Sequence, residues 1–380
     1  MSDMILTNAK IVTADDIVEG TLVVRNGRIE DVSSSITTAD GAVDLEGDLV
    51  IPGLVELHTD SLEGHMTPRP STDWPATAAV IAHDSQIASA GITTVFDAIA
   101  VGALTETSAR IRRLTEMVDA LQTGIDSKVL RADHFLHLRC EVSFPNLREL
   151  LEPLINHDLV RLVSVMDHTP GQRQFVREDL YRVYYQGKFG FTDKEMERFI
   201  GEQKAKQAKH GTNNRKYVVE RARDKGISLA SHDDATQAHV QEARSDGMSI
   251  AEFPTTVEAA QASRKQGMSV MMGGPNVVRG GSHSGNVSAR DLADKDVLDI
   301  ISSDYVPSSL LHAAFLLNET VDHISLPKAV AMVSKTPADS VGLTDRGEIA
   351  VGKRADLVRV HRSPYHPIVR SVWREGSRIT

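Results

Sequence analysis

Residues 49 to 70, LVIPGLVELHTDSLEGHMTPRP, run from an apolar stretch through Pro52 and Gly53 into a crowd of His58, Asp60, Glu63 and His65. Neutral imidazoles and carboxylate oxygens are ligands for Zn2+, and also suit Mn2+ or Fe2+. The same groups move protons near neutral pH. His58 and Asp60, two apart on a strand, point to one face, so both can reach one ion. Similar side chains recur where other apolar runs end: Glu141 closes FLHLRCE, His168 closes VRLVSVMDH, His232 stands in SLASHDD and Asp304 in LDIISSDY. Two His and a bridging carboxylate on one side, with His, Asp and that bridge on the other, could hold a pair of ions. A water between two cations ionises near neutral pH, and Asp304 would orient it and take its proton. One histidine near a strand end is more often a hydrogen-bonded structural residue than a ligand. The coincidence of suitable side chains at five different strand ends carries the argument. Glu63 and His65 divide evenly between substrate contact and loop structure, and His134 and His137 lean to structure. Asp97 is open, while Asp233 and Asp234 suit either partners of the ligands or helix caps.

A second unusual stretch is MMGGPNVVRGGSHSGNVSA, residues 271 to 289. Its glycines let the backbone approach an anion closely, with Arg279, His283 and several hydroxyls around it. It matches no P-loop pattern, and on its own it reads equally as a rim loop. Arg69 in TPRPSTDW and Arg173 in TPGQRQF each follow a metal-bearing strand end and add positive charge to the same rim. Together they point to a phosphorylated small-molecule substrate.

Such side chains need a scaffold that brings many strand ends to one place. The middle of the chain alternates apolar strand-like runs with amphipathic stretches: VELHTD, TTVFDA, FLHLRCE, VRLVSVMDH, SLASHDD, SIAEFP, SVMMGGP and LDIISSDY. Eight such runs predict a (β/α)8 TIM-like barrel, in which function gathers at the C-terminal strand ends. Ile111, Leu114, Val118 and Leu121 predict a helix ending at Gly124. Residues 172 to 226 form a charged, Lys-rich insertion, mostly a solvated helix face, with a lid over the site as the other reading. Both ends of the chain are β-rich, with Asn26-Gly27 as a tight hairpin turn. The two segments could each supply half of one small β-sandwich domain. The expected division is 1–53 with 344–380 for that domain, and 54–343 for the barrel.

Composition narrows the function classes. A chain of 380 residues with 41% hydrophobic side chains can bury a large core. A formal charge of −10 without a long basic block argues against a nucleic-acid or anionic-membrane partner. Cys140 stands alone, so no intrachain disulfide forms. The start lacks a charged leader followed by an apolar run, and no apolar run approaches the ~20 residues of a membrane span. A cytoplasmic protein, assembling as a homo-oligomer, is expected.

The PGLVELHTD entry from a small β domain, the alternating core with its late SSD, and the closing GEIAVGKRADLV resemble the amidohydrolase superfamily over essentially the whole chain. HTDSLEGHMTPRP, HLRCEVS, DHTPGQRQF, SHDDAT, AEFPTT and GGPNVVRGGSHSGN resemble, within it, the hydrolases of the carbon–phosphorus lyase pathway. That resemblance implies cleavage of α-D-ribose 1-methylphosphonate 5-triphosphate to the 5-phosphate and pyrophosphate, by metal-activated hydroxide attacking the α phosphorus. It implies metal ligands at His58, Asp60, Glu141, His168, His232 and Asp304, with two Zn2+ expected, and substrate contacts from Arg69, Arg173, Arg279, His283, Glu63 and His65. The superfamily's usual first motif is His-x-His, whereas here it is His58-Thr59-Asp60. No Lys ends a strand, so Glu141 takes the bridging role that a carboxylated lysine has elsewhere. The alternative is a C–N bond hydrolase such as a cyclic amidase, deaminase or deacetylase, which would need few rim cations. A non-enzymatic scaffold would have lost ligands.

Overall fold

The computed structural model describes residues 3–69, 72–104, 109–176, 178–282 and 285–380. The eight apolar runs form eight strands of one parallel sheet, each bonded to the next in sequence: β1 (Leu54–Thr59), β2 (Ile92–Val101), β3 (Asp133–Glu141), β4 (Val160–Met166), β5 (Ser228–His232), β6 (Ile250–Glu252), β7 (Ser269–Gly273) and β8 (Ile300–Ser302). Strands covered on both faces need apolar residues throughout, and every residue of β2, ITTVFDAIAV, is buried. Inward-pointing Val55, Leu57, Phe96, Leu162, Ala230, Ile250, Met271 and Ile300 fill the barrel, joined by Ala338 and the half-buried Val341 and Leu343. A larger core packs the outer strand faces against the surrounding helices. Among the described residues the sheet closes into a barrel through one parallel bridge, Thr59 to Asp304.

The helix predicted from Ile111 onward is Leu114–Asp126, with Ile111 in a preceding short turn, Ala109–Arg112. It does not stop at Gly124. That glycine lies inside the helix against Leu130, where a Cβ would come within 3.1 Å of the Leu130 side chain, so close packing and not termination explains it.

The chain ends meet as expected. Strands Met4–Val12, Ile17–Arg25, Arg28–Ser33, Val43–Asp44 and Leu49–Pro52 share one mixed sheet with Leu357–Arg362, Pro367–Arg374 and Ser377–Arg378. Asn26 and Gly27 both have positive φ, 51° and 75°, which the tight hairpin turn requires. The edge strand Arg28–Ser33 is bonded back to residues 352–354 at the far side, so the sheet wraps round its own core of Leu6, Ile11, Leu22, Val24, Leu357 and Trp373. Gly53 marks the crossing into the barrel: a Cβ there would lie 2.3 Å from Thr93 Oγ1, so the close approach demands glycine. Among the described residues no helix is long and apolar enough to cross a membrane.

The connection from β4 to β5 carries the insertion, as a helix Glu178–Phe189 and a 32-residue helix Asp193–Asp224. Thr192 and Glu195 form a reciprocal capping box at the start of the long helix. One face is not solvated. Met196, Phe199 and Ile200 pack with Phe175, Tyr181 and Tyr185 into a separate small core. Polar side chains pin the long helix to the loops above the barrel, Gln203 to the Leu104 carbonyl and Asn214 to the carbonyls of Val142 and Phe144.

At the opposite end of the barrel, Asp133, the first residue of β3, accepts hydrogen bonds from Arg346, Arg354 and Arg374 at 2.6, 2.8 and 3.1 Å. This carboxylate joins the barrel to the terminal segments. Its removal takes a carboxylate partner from three guanidinium groups, two of them buried, although Arg346 keeps Asp345 and Arg354 keeps Asp356. Asp133→Ala is expected to lose roughly 3 kcal/mol of stability, read as a lowered denaturation midpoint, whereas Asp133→Glu should recover part of it.

Candidate metal centre and active site

The mouth is built by departures from regular strand geometry. Between Glu56 and Thr59, β1 spends one residue more than β2 does between Val95 and Asp97, which is a β-bulge. The bulge turns His58 into the mouth and leaves the Leu57 carbonyl free to meet His137 Nδ1 at 3.0 Å. Asp60 therefore does not share a regular strand face with His58. It follows the end of β1 as the residue before a short helix, Ser61–Met66. Asp233, Phe253 and Asp304, just beyond β5, β6 and β8, have φ between 53° and 57°. A bulky residue such as Phe253 seldom adopts that region, and such strain clusters at working sites. Its ring packs against His58 and His232, with centroids 4.9 and 5.6 Å away.

Glu252, the last residue of β6, is fully buried between two imidazoles. Oε1 lies 2.6 Å from His58 Nδ1 and Oε2 lies 2.5 Å from His232 Nδ1. Burial would raise its pKa, but the two imidazoles bonded to it, His58 and His232, hold it well below the usual carboxylate range. Burial alone would lower the His58 pKa, yet Glu252 and Asp304 raise it. Glu141 forms the second anchor: Oε2 bonds His168 Nδ1 at 2.7 Å and Oε1 accepts from Ser143 at the same distance. These bonds outweigh burial and keep Glu141 ionised. His168 and His232 turn their Nε2 atoms toward Asp233, at 3.7 and 3.3 Å. Two sets of ligand atoms thus converge at the mouth, His58 with His137 and Glu252, and His168 with His232 and Asp233. Nitrogen and carboxylate donors in this proportion fit a divalent transition-metal ion.

Arg139 stands between these groups. It projects from β3 on the face shared by His137 and Glu141, 3.8 Å from Asp60. Burial opposes its charge, but Asp60, Glu252, Glu63 and Asp304 keep it protonated. With Glu141 and His168 it lines a cavity of about 390 Å³ whose outer wall is Tyr184, Tyr185, Lys188 and Phe189 of the insertion. The insertion thus roofs the mouth. Asp304 is held by backbone bonds to both sides of Thr59 and lines a smaller hollow with Gly273, Arg279 and Ser282.

The other expected residues are placed as follows. Arg279 and Arg69 are exposed on the rim. Arg173 is buried, and its guanidinium binds Asp234 and Glu242. Glu63 lies on the short helix after Asp60 and within the field of Arg139. His65 turns away, bonding Gln86 at 2.8 Å. His283 lies outside the described residues. The sequence reading passed over Arg139 and Glu252 and leaned to a structural role for His137. Strand parity was the available signal for Arg139 and His137, since both alternate with Glu141 along β3. Glu252 ends its run as His232 does, and the two are register partners.

Asp97 faces away from the mouth, in a buried relay behind β2 and β3. It bonds His83 Nε2 at 2.7 Å and His134 Nδ1 at 2.8 Å. His134 continues to Asp84, and His83 to Ser61 beside the mouth. Every ring nitrogen is engaged, so the relay is satisfied without an ion. Burial opposes both charges here, but the His134 and His83 rings depress Asp97 to about 2, while Asp97 and Asp84 raise His134 to about 9. A raised histidine contributes stability that is full below its ordinary pKa near 6.5 and lost as pH climbs through 9. The stability advantage of the unaltered protein over His134→Gln should therefore shrink between pH 6.5 and 9, by on the order of 3 kcal/mol in urea melts.

A family model described as the amidohydrolase family matches residues 49–379. The chain is 48% identical over 377 residues to the α-D-ribose 1-methylphosphonate 5-triphosphate diphosphatase of Escherichia coli strain K12, covering 99% of this chain and 100% of that protein. Among solved structures it resembles a 5-methylcytosine deaminase from Klebsiella pneumoniae, with a TM-score of 0.65 at 18% identity over 99% of this chain and 98% of the other. It also resembles an N-acetyl-D-glucosamine-6-phosphate deacetylase from Mycobacterium smegmatis, with a TM-score of 0.64 at 15% identity over 100% of both chains. At such identities these structures speak to the fold alone. Sequence match and barrel geometry agree, and the chain belongs to the amidohydrolase family.

Proposed function

We propose that this protein is a metal-dependent hydrolase of phosphonate breakdown that cleaves α-D-ribose 1-methylphosphonate 5-triphosphate to the 5-phosphate and pyrophosphate. The observation that carries the reading is end-to-end likeness to the Escherichia coli diphosphatase, and the mouth has the chemistry the reaction needs. We assign two divalent ions, Zn2+ with Mn2+ or Fe2+ as substitutes, to His58, Asp60, Glu141, His168, His232 and Asp304. When bound, such ions polarise phosphoryl oxygens and make water acidic enough to attack near neutral pH.

The chain's own side chains do the rest. Asp304, fixed at the seam of the barrel, accepts the proton of the attacking water. Arg139, already charged and desolvated, neutralises oxygens on the phosphorus under attack, where a fixed cation is worth more than in water. Arg69 and Arg279 on the rim, with His283, meet the outer phosphates. Arg173, tied to Asp234 and Glu242, fixes the loop after β4 instead of reaching the substrate directly. Glu63 orients Arg139, and His65 holds the short helix that carries Glu63. Tyr184 and Phe189 wall the cavity and keep water from the sugar side. Pyrophosphate is a good leaving group, so no strong general acid is required. We place the enzyme in the cytoplasm, a reading supported by the lone, buried Cys140.

Phosphorus NMR of the triphosphate substrate with the purified protein tests the reaction. Pyrophosphate and the ribose 5-phosphate should appear together and cease after chelation. Orthophosphate release, or no reaction by metal-loaded protein, would overturn the proposal. Arg139→Met should retain its metal while kcat/KM falls by about 100- to 1,000-fold. Glu141→Gln should lose bound metal, read by elemental analysis; full retention would remove Glu141 as a ligand.

A further inference from the structure

The unused feature of the mouth is His137. Its ring is fully buried on β3, and Nδ1 sits 3.0 Å from the Leu57 carbonyl that the β1 bulge releases. A carbonyl only accepts, so Nδ1 carries the proton, and in a neutral ring Nε2 then presents a lone pair. That lone pair has no hydrogen-bond partner among the described residues. It faces Glu252 Oε1 across 3.9 Å, too far for a hydrogen bond. Two buried acceptors opposed in this way are costly unless a cation or a donor stands between them. The same Glu252 oxygen is 2.6 Å from the His58 ring, which lies edge-on to His137 with centroids 5.2 Å apart. Among the described residues no Lys or Arg head is bonded to His137 Nε2.

We propose that His58, His137 and Glu252 hold a divalent cation at the floor of the mouth, deeper along β3 than Glu141. The donor set is two imidazole nitrogens and a carboxylate, which suits Zn2+ over Mg2+ or Ca2+. His137 and Glu252 thereby join the metal centre as ligands, and His58 serves the inner ion. Glu252 also reaches His232 through its second oxygen, so one carboxylate couples this floor to the outer group of His168, His232 and Asp233. The inference rests on the metal-dependent reading above, and the test separates the two.

The experiment is zinc binding by elemental analysis and competition with a chromophoric chelator, on the unaltered protein, His137→Ala and Glu252→Gln. Each variant should lose about one ion per chain or bind one zinc at least about 100-fold more weakly. The Co2+ form of each should show an altered visible absorption band, which a packing role would leave unchanged. Undiminished stoichiometry and affinity with an unaltered cobalt band in either variant overturns the proposal while leaving the proposed function intact. Failure of the unaltered protein to bind any divalent ion overturns both. If a variant does not fold by circular dichroism, the unaltered protein labelled with 15N-histidine decides: Zn2+ should shift the His137 Nε2 resonance while Nδ1 keeps its proton, and an unmoved resonance overturns the assignment.

Discussion

The site depends on the seam where the last strand of the barrel meets the first. β8 is three residues long, yet Asp304 beyond it donates its N–H to the His58 carbonyl at 3.0 Å and accepts from the Asp60 N–H and the Thr59 hydroxyl. Glu56 reinforces the seam, taking the backbone N–H groups of His58 and Ser303 on its two oxygens. Each bond contributes only about 1 kcal/mol net. Left unmade, each would strand a buried polar group at greater cost. Barrel closure therefore places His58, Asp60 and Asp304 in the same act, and three expected metal ligands owe their geometry to it.

The second constraint is charge. The chain is acidic overall, whereas the substrate proposed for it is a polyanion. Positive charge is concentrated where low dielectric magnifies it. Arg139 is desolvated among carboxylates that keep it protonated, and Arg279 is exposed at the hollow that Asp304 lines. Carboxylates such as Glu141 and Glu252 stay ionised in the interior because imidazoles pair with them. This arrangement is expensive without further positive charge, which is why the mouth reads as a metal centre and not as an ordinary buried ion-pair network.

Much of this was legible in the sequence. All eight barrel strands stand out as apolar runs because a parallel sheet buried on both faces leaves little room for polar residues. The Asn26-Gly27 turn and the pairing of the chain ends follow from local chemistry and β-rich composition. Less visible were features set by tertiary register. The bulge at Leu57 and His58 has no local mark, so spacing alone put Asp60 on the wrong kind of element. Gly124 looked like a helix stop because close packing against Leu130 lies outside the local pattern. Arg173 looked like a rim cation because its partners Asp234 and Glu242 are 61 and 69 residues away. Arg139, His137 and Glu252 were hidden in apolar strands, although strand parity or a uniform reading of strand ends would have found them.

In the proposed reaction hydrolysis would occur at the phosphorus next to the sugar, received by the Arg139 cavity, with pyrophosphate leaving toward the rim. The most direct measurement is the reaction in water enriched in 18O, with phosphorus NMR resolving the isotope shift of each product. The account predicts one 18O in the ribose 5-phosphate and none in the pyrophosphate. Label in the pyrophosphate would place the attack on the β phosphorus and contradict the account.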